Sequence, residues 1–205
     1  MKTIISIFIT VLCMIALVVV IIGCNGKQAY IVEDDILNNP TIDSLMFSLD
    51  GVIYTFPILF SDLEANGWVL HDSDDSFANS TLEPGDAVPL KLITDTQTVG
   101  VEFTNLSDKT LLVRESHITA IAAFFGVYNA KIVLPGNIMI GSSFDDVLST
   151  YGTPNSESVF NDMPLISYNL DYCTIQLLIE TETNRIMSIN MHYWHFLYDS
   201  EYELK

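Results

Sequence analysis

The chain has 205 residues, 49% of them hydrophobic, and sets 26 acidic against 8 basic residues for a net charge of −18. That length allows one ordinary domain or two small ones. The charge excludes a nucleic-acid partner, because phosphate backbones repel so acidic a surface.

Residues 3–23 carry no charge and follow a lone Lys2. A run this long could span a bilayer, which needs roughly 20 apolar residues. It also has the order of a secretory signal: a basic start, an apolar centre, then a small residue before a cut. Its end, Ile21-Ile22-Gly23-Cys24, resembles the lipobox of bacterial lipoproteins. That resemblance implies a signal peptide over 1–23, cleavage before Cys24 and diacylglyceryl attachment to its thiol. Two acyl chains anchor a protein stably where one does not. The membrane partner would then be reached through lipidated Cys24, with the body on the extracytoplasmic face. The alternative is an uncleaved anchor helix, which exports the body as well.

Residues 24–45 are expected to be a flexible tether, with a reach on the order of 25 Å. Asp50-Gly51 between apolar runs predicts a hairpin, with Val52, Tyr54 and Phe56 alternating as a strand. Ser61 followed by Glu64 predicts a helix capping box, and Gly67 a left-handed helix exit. Residues 71–87 form an acidic loop with a Pro84-Gly85 turn. "VPLKLITD" and "TVGVEFTN" predict paired strands with Val99, Val101 and Phe103 on one face. "KTLLVRESHITAIAAFFG" has enough β-branched residues to favour strand over helix.

From Lys131 the order recurs as strand, Pro135-Gly136 turn, apolar segment, and a helix capped by Ser143 with Asp146 and ended by Gly152. Three strands follow over 164–169, 172–180 and 185–196. Cys173 shares a strand face with Ile175, Leu177 and Ile179, which predicts a buried small hydrophobe rather than a reactive thiol. In the last strand, alternation places Met187, Ile189, Met191 and Tyr193 in the core and Ser188, Asn190, His192 and Trp194 outside.

The stretch "LPGNIMIGSSFDDVLSTYGTP", through Ile140, Gly141, Ser143, Val147, Gly152 and Pro154, resembles the opening of small helix-plus-sheet modules. Such modules occur in the β-lactamase inhibitory protein and in Gram-positive lipoproteins. The resemblance implies a non-enzymatic module that binds protein or wall components through its sheet. The fold expected is therefore α+β, with two tandem modules over 46–127 and 128–205, each a short helix packed on an antiparallel sheet.

Candidate chemistry is sparse. Asp72, Asp74, Ser76, Ala78, Ser80 and Glu83 follow the ligand order of an EF-hand loop, although Phe77 stands where the sharp turn uses glycine. A weak calcium candidate of Asp72, Asp74, Ser76 and Glu83 results, against a solvated acidic loop. His192 and His195 lie three apart in a strand and point to opposite faces, so no zinc site is expected. No Gly-x-Ser-x-Gly or Gly-rich phosphate loop occurs. No cofactor is implied, and no catalytic residue is assigned. The expected function is a lipid-anchored, non-catalytic module that binds an envelope or secreted protein through Asn190, His192, Trp194 and Phe196. The alternative is an envelope substrate-binding or hydrolytic protein, which needs paired carboxylates across a cleft.

Overall fold

The computed structural model describes residues 46–71 and 74–194. Leader, tether, Cys24, Asp72, His195 and Phe196 lie outside the described residues. Among those described, no helix is long and apolar enough to cross a membrane.

The chain opens with the expected hairpin of β1 (Met46–Leu49) and β2 (Val52–Thr55). Asp50 and Gly51 between them take φ of 50° and 82°, the left-handed pair that matches a hairpin's twist. After β3 (Ile58–Leu59), α1 (Phe60–Glu64) and β4 (Val69–Leu70) come β5 (Thr81–Leu82), β6 (Ala87–Ile93), β7 (Thr98–Thr104), β8 (Leu111–Leu112) and β9 (His117–Phe124). The second half holds β10 (Ile132–Leu134), β11 (Ile138–Met139), α2 (Phe144–Tyr151), β12 (Ser156–Phe160), β13 (Met163–Asn169), β14 (Cys173–Glu180) and β15 (Arg185–Tyr193).

The expected pair of helix-on-sheet modules is overturned: the protein is mostly antiparallel β-sheet. A nine-stranded sheet runs β12-β13-β14-β15-β9-β7-β6-β4, with β3 also pairing β9. Strand β15 from the late half is hydrogen-bonded to β9 from the early half, from Ser188↔Phe124 to His192↔Ala120. A four-stranded sheet, β11-β10-β1-β2, crosses the same divide through Ser48↔Val133 and Leu49↔Ile132. The physical reason is edge satisfaction. Two separate small sheets would each leave long rows of unpaired N–H and C=O groups, whereas merging satisfies them mutually. Nor could α1, five residues long, cover a sheet face alone.

A third, two-stranded sheet pairs β5 with β8, and one continuous buried cluster joins the two larger sheets, Leu82 of β5 and both α-helices. Val99, Val101 and Phe103 of β7 enter it as expected, and so do Cys173, Ile175, Leu177 and Ile179 of β14. Burial pushes the Cys173 thiol up to about 11. Phe60 and Leu63 carry α1 into the cluster, with the Phe60 ring edge-on to Phe103 at 5.1 Å.

Two local expectations also fail. Helix α1 begins at Phe60 with Leu59 as its N-cap and no side-chain cap. Anchoring Phe60 in the core starts the helix two residues early, so Ser61 falls inside the first turn and cannot cap it. In β15, Ile186 is buried and Met187 is half-exposed, because the register with β14 slips between Leu178 and Ile179. That bulge leaves Met187 without a partner and resets the alternation. Helix α2 forms as expected: Ser143 Oγ accepts from Asp146 N–H at 3.1 Å, and Asp146 Oδ2 accepts from Ser143 N–H at 3.2 Å. These bonds hold the Asp146 carboxyl below its usual range.

Candidate binding face

The side of the large sheet away from the core carries the polar half of each strand's alternation. Two neighbouring rows matter. Pro89, Glu102, Ala120, His192 and Thr174 stand in register across β6, β7, β9, β15 and β14. Lys91, Gly100, Ala122, Asn190 and Gln176 form the next row across the same strands. The central strand contributes only alanines to these rows, and β7 contributes a glycine. Small residues on adjacent strands leave a shallow floor of Gly100, Ala120 and Ala122 within a depression of about 290 Å³.

Ala120 is also why Glu102 and His192 can meet. Their strands are two spacings apart, about 9.6 Å, and only a methyl group stands between them. Over it His192 Nε2 approaches Glu102 Oε1 at 3.1 Å, each side chain being about one-third exposed (31% and 30%). The Thr119 hydroxyl donates to the same oxygen at 3.4 Å. It can do so because β9 is bulged: Glu102 pairs Ala120 while Phe103 pairs Ile118, leaving Thr119 as the extra residue. The imidazole bond holds the Glu102 carboxyl below its usual range, against partial burial, which raises it.

Aromatic rings stand towards both ends of the floor. Trp194 lies with its ring centroid 4.1 Å from the His192 imidazole, and its indole N–H donates to Thr174 Oγ1 at 2.9 Å. It is half-exposed on the polar face and is absent from the core cluster. Tyr128, from the tight turn after β9, lays its ring over Gly100. A Cβ at that position would sit 3.2 Å from Tyr128 Cε2. Asn190 Nδ2 donates to Gln176 Oε1 at 3.3 Å. The structure thus brings three of the four expected surface residues together, Asn190, His192 and Trp194. Phe196 lies outside the described residues.

Sequence reasoning missed Glu102, Gly100 and Tyr128. A glycine inside a strand signals close approach of another group, and Glu102 has outward parity in "TVGVEFTN". Both signals were present. The pairing that brings β7 within two strands of β15 was not.

The acidic loop departs from an EF-hand. A 3-10 turn over Asp75–Phe77 and strand β5 break it into pieces. Asp74 Oδ2 accepts the Lys91 N–H at 2.8 Å, and Glu83 Oε2 accepts the Thr110 hydroxyl at 2.9 Å. Ser76 is exposed on the turn, and Asp72 is not described. Among the described residues no three His, Cys, Asp or Glu side chains converge on a metal position.

No protein family and no curated relative matches the sequence. Part of the chain is similar to a solved structure, that of a DUF4309 family protein (YjgB) from Bacillus subtilis subsp. subtilis str. 168. The match has 17% identity and a TM-score of 0.33, and covers 60% of this chain and 76% of that one. A likeness this weak leaves the binding face to be argued from its own residues: the chain has a Gram-positive structural neighbour of the DUF4309 family.

Proposed function

We propose that the protein is an extracytoplasmic, lipid-anchored binding module of a bacterial envelope, without catalytic activity, whose ligand-contacting surface is the face built around Glu102, His192, Asn190 and Trp194. The observation that carries this reading is that face itself. It sets small residues as a floor, fixed polar groups above it and a half-exposed tryptophan beside them. Half-buried aromatics next to preorganised polar groups are what recognition surfaces tend to carry. Support for the anchor is the Ile21-Ile22-Gly23-Cys24 sequence after an uncharged run. An acidic body repelled by anionic headgroups suits standing off the membrane on a tether. Of the residues lining the depression, Glu102 is the one carboxylate, so the two-carboxylate geometry of the hydrolytic alternative has no support there.

Feeding the native host an alkyne-tagged palmitate tests the anchor. The label should appear on the protein and disappear in Cys24→Ser, which should leave the membrane fraction. An intact methionine start with no lipid by mass spectrometry would end this reading. Binding is tested by co-sedimentation with isolated envelopes: Trp194→Ala should lower it without changing the melting temperature. An equal loss of stability would return Trp194 to a packing role.

A further inference from the structure

Resting on that reading, we propose that the face holds an uncharged sugar ring, seated over Ala120 and Ala122 between Tyr128 and His192 and hydrogen-bonded by Glu102 and Asn190. Ligand charge is constrained from both sides. An anion would meet the Glu102 carboxylate on a chain of net charge −18, and Lys91, the one lysine or arginine in the two rows, does not line the depression. A cation would find a single carboxylate in the lining, Glu102, already bonded to His192 at 3.1 Å. A neutral polyol meets neither obstacle.

The bonding capacity fits. Both recorded side-chain bonds to Glu102 go to Oε1, which leaves Oε2 to accept sugar hydroxyls. Asn190 spends an amide N–H on Gln176 and keeps its carbonyl oxygen as an acceptor. The floor fits too. Its open part is the Ala120–Ala122 step of β9, about 7 Å long, closed on one side by Tyr128 against Gly100 and on the other by the Glu102–His192 pair. A pyranose presents the same mixture in one ring: axial C–H groups that lie on apolar or aromatic surface, and equatorial hydroxyls that project outward. Tyr128, packed against Gly100, provides the aromatic surface, and Trp194 backs the His192 imidazole that borders it.

The test uses the full chain purified from membranes in a sugar-free detergent. Tryptophan fluorescence is followed against three probes: neutral chitotetraose, its deacetylated cationic form, and an anionic tetragalacturonate. Trp68 is buried and Trp194 half-exposed, so ligand on this face should be reported by Trp194. Saturable quenching is expected at millimolar chitotetraose, weakened at least tenfold in Ala122→Leu, which fills the floor, and in Asn190→Ala, with both variants melting as the wild type does. Tighter binding of the cationic probe, or chitotetraose binding indifferent to both substitutions, overturns the assignment. Envelope co-sedimentation run in parallel separates the two levels. If no sugar binds but sedimentation still falls in Ala122→Leu, the sugar is wrong and the binding face stands. If neither responds, both are wrong.

Discussion

His192 reaches Glu102 across an alanine, from a strand 90 residues away in sequence, at 3.1 Å. The bond favours the ionised carboxyl, so folding lowers the pKa of Glu102 from its ordinary 4.5. Near that value the unfolded chain binds more protons than the folded one. Stability from the pair is therefore present above about pH 4.5 and fades as pH falls through the lower folded value. Glu102→Gln should be less stable than the wild type near neutrality, and the gap should close as pH falls below the ordinary 4.5 and through the lower folded value. Denaturant melts across that range check it. In His192→Ala, carbon-detected NMR should show the Glu102 titration midpoint moving up. An unmoved midpoint would assign the shift to other neighbours.

Gly100 and Tyr128 should be energetically coupled. Alanine normally gains over glycine inside a strand, yet here its methyl group would press on the Tyr128 ring at 3.2 Å. Gly100→Ala should thus change stability little or lower it in the wild type. In a Tyr128→Ser background the same substitution should be stabilising. The coupling from the double-mutant cycle should reach at least ~0.5 kcal/mol; additivity within error would mean that the ring moves aside freely.

The two serines that look alike in sequence should behave differently. Ser143→Ala removes a working N-cap bond from α2 and should cost about 1 kcal/mol. Ser61→Ala removes a side chain that caps nothing and should stay within about 0.5 kcal/mol. Urea denaturation of both variants decides the matter, and equal losses would contradict the cap assignment.

That contrast shows where the sequence is legible. Both sites carry serine with an acid three residues on, and the difference lies in what each helix packs against. Phe60 is drawn to Phe103, more than forty positions away, and no local pattern encodes that pull. Strand alternation was readable where the extra residue of a bulge falls on the partner strand, as for Val99, Val101 and Phe103 of β7 and Cys173, Ile175, Leu177 and Ile179 of β14. It failed at Met187, where a bulge resets the period. The Asp50-Gly51 hairpin and the α2 capping box were readable because each is settled within four residues. The merging of the two halves was not, since the choice of β15 as a partner for β9 depends on which edges are left unpaired once every hairpin has formed. For the same reason Asn190, His192 and Trp194 could be grouped from one strand, while Glu102 could not be added to them.

Strand β12 ends the large sheet, and all five of its residues are exposed, Val159 at 73% and Phe160 at 54%. A strand in this position presents backbone N–H and C=O groups to other chains, and exposed apolar side chains strengthen the pairing. Glu157 gives it a single charge, weak protection for an edge of this length. Val159→Lys should leave stability within about 0.5 kcal/mol, because the side chain is mostly in solvent. It should also slow aggregation in concentrated solution, where light scattering would register fewer large particles. Pairing through this edge requires Val159→Lys and Val159→Thr to differ, since threonine keeps strand propensity without adding charge. If both variants aggregate at the wild-type rate, association proceeds through another surface, and the exposed apolar residues of the turn after β9, Phe125 and Val127, become the next place to substitute.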